Sequence, residues 1–261
     1  NATGFAVNLG DAQITLENNA QVAGSSTTTL EAGKLAYIGA AGTDITSTKQ
    51  DTLVSIEEIH GGLGADQFFG SDAEETFLGA EGGDVFFGGG GVDTLHLNRY
   101  GSQDDDTDTV LYVKSTDGGG SGDIINGFTA GITNGDILKF IDANNTTGDA
   151  LDLTGNKTKG FNSGTFSTLA VTAADNVWVI TDAQTDWTSA AAIDAAINTK
   201  ADTGMTGGLV LVFKTDESAD AQVWYLGTAY GGEDCTDVLK LATLVGISDL
   251  TTLTTDNFAV V

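Results

Sequence analysis

Proline is absent from this 261-residue chain, cysteine and methionine occur once each, and ten lysines and arginines stand against thirty-seven acids. Each shortage removes a class of protein. A lone Cys235 forms no internal disulfide and argues against a cysteine-based zinc site. A formal net charge of -27 repels nucleic acid and anionic lipid headgroups, so neither is expected as a partner. The longest uninterrupted apolar run, Leu209–Phe213, falls far short of the roughly 20 residues of a spanning helix, and no membrane insertion is expected. Asn1 opens the chain with no charged and apolar leader behind it, so no signal peptide is visible and the chain reads as a segment of a longer one. Catalytic signatures are missing too. Neither H-E-x-x-H nor G-x-S-x-G occurs, His60 and His96 read as surface or strand-end residues, and the acids flanking Cys235 in GGEDCTD (231–237) disfavour a thiolate. No enzyme activity is expected within this chain.

Glycine, by contrast, is plentiful. Thirty-six glycines mark many turns, while 40% hydrophobic and 8% aromatic content lets burial offset chain entropy despite the charge. So much unbalanced acid needs a compensating partner, of which a divalent cation is the simplest. Short strands separated by Gly, Ser, Thr and Asn clusters are expected over 5–9, 13–16, 34–38 and 52–59.

From Gly61 a nine-residue period runs through four units without a slip: GGLGADQFF (61–69), GSDAEETFL (70–78), GAEGGDVFF (79–87) and GGGGVDTLH (88–96). Each opens with Gly, has an acid at its sixth place (Asp66, Glu75, Asp84, Asp93) and a large apolar residue at its eighth (Phe68, Phe77, Phe86, Leu95). A flexible linker has no reason to phase phenylalanine. A glycine-rich hexapeptide turn followed by a three-residue strand, two units to a coil, stacks unit n over unit n+2. Asp66 then shares a column with Asp84, and Glu75 with Asp93. Bare carboxylate columns repel, whereas Ca²⁺ between turns, bound by carboxylate and carbonyl oxygens, joins them. The inward stack of Phe68, Phe77, Phe86 and Leu95 supplies the core.

These units resemble the RTX nonapeptide repeat, G-G-x-G-x-D-x-U-x, and 52–59 is similar to the strand that leads into such rolls. The first unit matches every defined position, the third has Ala80 for the second Gly, and the second departs most, with Ser71, Asp72, Ala73 and Glu75. The resemblance implies a calcium-holding set of Gly62, Gly64, Asp66, Glu75, Gly82, Asp84, Gly89, Gly91 and Asp93. Within it Asp66 with Asp84 is the expected principal site, because Glu75 is a longer carboxylate on a less permissive turn.

Beyond the roll, 104–108 (DDDTD) reads as a solvated acidic loop, with a peripheral Ca²⁺ as the alternative. Strands are expected over 110–113, 123–128, 136–141, 166–171, 177–181, 209–214 and 222–226, with one core-facing helix over 187–197 and a charged hairpin loop over 216–220. The stretch 122–140 is similar to the segment that follows RTX repeats in type I secreted proteins. The end, 239–261, resembles their uncleaved export signal, an ordinary terminal strand being the alternative. The expected fold is mainly β: a lead-in (1–60), a short parallel right-handed β-roll (61–96), and a β-rich carboxyl-terminal domain with one helix (97–261). The implied partners are Ca²⁺, the type I export machinery, and self-association or cell-surface polysaccharide. The expected role is a secreted, calcium-folded structural module of a bacterial cell surface, similar to a surface layer. The alternatives are the secretion and folding module of an RTX hydrolase or toxin, and part of an RTX adhesin.

Overall fold

The computed structural model describes residues 4–16, 29–37, 51–99, 105–141, 151, 153, 161–168, 176–199, 208–227 and 237–261. Cys235, Asp104 and the expected strand residues 169–171 lie outside them. The fold is mainly β, with two large sheets and one α-helix among the described residues.

The amino-terminal strands are β1 (Phe5–Asn8), β2 (Ile14–Thr15), β3 (Thr29–Leu30), β4 (Lys34–Tyr37) and β5 (Asp51–Thr52). Next come β6 (Glu58–His60), β7 (Gln67–Phe69), β8 (Thr76–Ala80), β9 (Val85–Phe87), β10 (Thr94–Asn98), β11 (Thr109–Tyr112), β12 (Asp123–Asn126) and β13 (Ile137–Phe140). These eight alternate between the sheets. β7, β9, β11 and β13 pair in parallel in the first, and β6, β8, β10 and β12 in the second. The chain thus winds in coils of two strands, each coil lying on the last. Parallel strands inside such a stack use every backbone N–H, which is why a proline-free sequence suits it.

The eighth-place residues meet inside. Phe68 pairs with Phe86, Phe86 with Val110 and Val110 with Leu138 on one side; Ile59, Phe77, Leu95 and Ile125 align on the other. All belong to one buried cluster. The Phe68 ring stacks on Phe86 at 5.0 Å and on Phe77 at 5.3 Å. Each such side chain contributes roughly 1.5–3 kcal/mol by burial, so the stack is a true core.

After Ile141 the chain leaves the coils and builds β14 (Phe161–Gly164), β15 (Val177–Ile180), α1 (Ala190–Asn198), β16 (Leu209–Phe213) and β17 (Ala221–Leu226). It returns as β18 (Val238–Val245) and β19 (Phe258–Val260). β18 pairs in parallel with β12 and β19 with β13, so the last two strands lie on both sheets of the stack. β15 and β16 are buried on both faces, one in the main cluster and the other under α1 and Trp187. That explains their unbroken apolar runs. Ser189 caps α1 by accepting from the Ala192 N–H, and Ile193 and Ile197 face the sheet, one helical turn apart.

Several expectations change. The strand expected over 52–59 is two strands in different sheets, β5 and β6, with 53–57 crossing between them. Residues 166–168 form a turn rather than the start of a strand; β14 precedes it, and Phe166 packs edge-on against Trp187 at 4.9 Å. β10 runs across 96/97, and the parallel stacking continues beyond it, so strand pairing does not mark the division expected there. Asp105 and Asp106 are exposed, as a solvated loop requires, but Asp108 is fully buried.

Candidate functional site

Every coil strand in the repeat is entered through an acid, and the acids are buried. Asp66, Asp84 and Asp93 are no more than 1% exposed and Glu75 is 5% exposed. The two predicted columns are present as hydrogen-bonded ladders. Asp84 Oδ1 accepts the Asp66 N–H at 2.7 Å, and Asp93 Oδ1 accepts the Glu75 N–H at 2.8 Å.

The ladders run further than the four units. Asp108 Oδ1 accepts from Asp84 N (2.7 Å) and Asp136 Oδ1 from Asp108 N (2.9 Å), extending the first column. Asp123 Oδ1 accepts from Asp93 N at 3.0 Å and extends the second. Sequence reasoning missed these three because the spacing jumps. The signal was available as an acid two residues before an inward apolar residue: Asp108 with Val110, Asp123 with Ile125, Asp136 with Leu138. Past the end of the first column Asn257 is fully buried, its Nδ2 donating to Asp136 O at 2.9 Å.

The opening glycine of each unit now has a cause. The sixth-place carboxylate folds back over it, so a Cβ on Gly79 would stand 2.2 Å from Asp84 Oδ2 and one on Gly88 2.2 Å from Asp93 Oδ2. The inner glycines stack backbone on backbone: a Cβ on Gly82 would lie 2.7 Å from the Gly64 carbonyl carbon, and one on Gly91 2.3 Å from Ala73 O. Gly89 sits likewise over Ser71 O, at 2.2 Å. Gly62 donates to Asp66 Oδ2 at 2.8 Å, and its carbonyl accepts from Glu81 N at 3.1 Å. The structure therefore brings Gly62, Gly64 and Gly82 to the turns of the first column, and Gly89 and Gly91 to those of the second.

Burial without a countercharge governs the electrostatics. Asp66 is raised above the usual carboxylate range by burial, against the opposing N–H groups of Phe5 and Gly62. Asp93 is pushed up to about 7, first by burial and then by the charge of Glu75. Burial also lifts Asp123 well above its ordinary value, although the Tyr112 hydroxyl donates to its Oδ2 at 3.1 Å. Asp93 Oδ2 is buried with no hydrogen-bond partner. Among the described residues no lysine or arginine forms an ion pair with Asp66, Glu75, Asp93 or Asp123.

Carboxylate and carbonyl oxygens, without sulfur or imidazole, suit a hard divalent cation. The orphaned Asp93 oxygen and the raised Asp93 fit such an ion. Among the described residues no three His, Cys, Asp or Glu side chains are grouped to hold a metal. A cation between coils would therefore rest on paired carboxylates completed by turn carbonyls. His60, exposed beside Glu58, and His96, half-buried and lowered by desolvation, lie two strands apart on the second sheet. Comparison of the sequence with models of known protein families and with curated proteins finds no match.

Proposed function

We propose that this chain is a calcium-binding structural module of RTX type, its coils a right-handed β-roll, from a secreted bacterial cell-surface protein that resembles a surface layer. The observation that carries the reading is the pair of buried carboxylate columns, above all Asp93, whose second oxygen has no donor and whose carboxyl is lifted to about 7. Gly62, Gly64, Asp66, Gly82 and Asp84 would hold Ca²⁺ at one column, and Glu75, Gly89, Gly91 and Asp93 at the other. Bound there, the ion supplies positive charge to acids that otherwise repel; it performs no chemistry on a substrate, and the module is not an enzyme.

In a cytosol poor in Ca²⁺ the ionised columns keep the chain expanded, a state suited to type I export. Outside, sites with extracellular-module affinity, roughly 10⁻⁴ to 10⁻³ M, fill and stabilise the coils. Cations bridging the surplus surface acid then support self-association or attachment to cell-surface polysaccharide. Calorimetric titration of the chelated chain with CaCl₂ tests this. Saturable binding in that affinity range, with fewer ions bound by Asp84→Asn and by Asp93→Asn, is expected. Heats that do not saturate, or stoichiometry untouched by both substitutions, would remove the reading.

A further inference from the structure

Beside the turns of the second column lies a half-open crevice of about 260 Å³ that shares only Gly89 with the proposed calcium sites. Its apolar lining comes from Phe69 and Phe87, neighbours across β7 and β9 with ring centroids 6.4 Å apart, and from Ile14 of β2. Asp11, Asp72 and Asp117 also line it, against a single Lys114. Asp117 is 3% exposed and held in place by two backbone donors, Val113 N at 2.7 Å and Lys114 N at 2.8 Å, both on Oδ2. Burial raises this carboxyl to about 6, and the Asp72 charge adds to the effect.

We propose that this crevice binds a cationic side chain, the ammonium or guanidinium of a lysine- or arginine-bearing peptide from another protein. The alkyl stem lies on Phe69 and Phe87, and the charge faces Asp117, Asp72 and Asp11. Charge complementarity selects this occupant. Three carboxylates against one ammonium reject anionic ligands and favour a cation, and the aromatic floor favours one carried on carbon rather than a bare ion. The volume falls below the usual range of small-molecule sites and suits one side chain. A second copy of this chain is a poor source, because it holds only ten lysines and arginines against thirty-seven acids.

The test uses the full ¹⁵N-labelled chain in millimolar CaCl₂, so that it is folded whichever way the columns are read. Probes are Ac-Gly-Lys-Gly-NH₂, Ac-Gly-Arg-Gly-NH₂, Ac-Gly-Glu-Gly-NH₂ and 1,5-diaminopentane. Saturable amide shifts centred on Gly70, Gly89, Gly90 and Asp117 are expected with the lysine or arginine peptide, and none with the glutamate peptide. Asp117→Asn, whose amide oxygen still accepts the two backbone N–H groups, weakens binding at least tenfold, as does Asp72→Asn; Glu217→Gln, an exposed acid elsewhere, leaves it unchanged. Shifts spread over all acids, equal shifts with the glutamate peptide, or full binding by both Asp variants would overturn the proposal. Diaminopentane binding more tightly than either peptide would overturn a peptide as the source.

Discussion

Replacing Asp93 with asparagine isolates the electrostatic cost at the centre of the second column. Asparagine keeps an oxygen to accept the Glu75 N–H and puts an amide donor where Asp93 Oδ2 now lacks one. Raising the carboxyl from 3.8 to about 7 means that the folded chain holds this proton more tightly than the unfolded chain. Its contribution is therefore fully present below about pH 4 and is lost as pH rises through 7. The span is on the order of 4 kcal/mol, with about 3 of them disappearing between pH 5 and 8. Thermal melts followed by circular dichroism in EGTA should show wild type losing stability across pH 5 to 8. Asp93→Asn should show a shallower slope and a higher melting temperature at pH 8, by on the order of 10 °C. In millimolar Ca²⁺ the ranking should reverse, because only the wild type has the ligand. A variant less stable than wild type in EGTA at pH 8, or one with an unchanged pH slope, would refute the reasoning.

Three further substitutions probe the coil geometry. Gly79→Ala places a Cβ 2.2 Å from Asp84 Oδ2 and 2.6 Å from Leu97 O, and urea melts should record a loss of about 2–3 kcal/mol or outright unfolding. The adjacent Ala80→Gly should act oppositely, gaining about 1 kcal/mol in the same assay, because Ala80 is held at φ 82 where glycine is unstrained. Tyr112→Phe removes the donor to buried Asp123 Oδ2 and should cost about 1–3 kcal/mol, more at pH 8 than at pH 5, by thermal melts at the two values.

The sequence made the core and the start of both columns readable because each nine-residue unit crosses to the other sheet and two units return the chain to the same column. Phe68, Phe77, Phe86 and Leu95 stack as the period requires. Asp108, Asp123 and Asp136 keep the same relation to their inward residues, but they follow intervals of fifteen, fifteen and thirteen residues, and a fixed period cannot see them. A terminal strand was one of the two readings of 239–261, but where the carboxyl-terminal strands pair was hidden for a different reason. β18 and β19 lie on the stack after a detour through 161–227, and such pairing between distant segments leaves no local pattern. Burial of the acids was hidden as well, since composition treats Asp108 like its exposed neighbours Asp105 and Asp106.

The central claim is that Ca²⁺ binding is the folding event of the coils, and far-ultraviolet circular dichroism with thermal melting at pH 8 tests it most directly. In excess EGTA the chain should be expanded or melt at low temperature. Millimolar Ca²⁺ should restore the β spectrum and raise the midpoint sharply, since each site filled at about a hundred times its Kd adds on the order of 2.7 kcal/mol. The same compact spectrum and the same melting temperature in chelator and in calcium would contradict it.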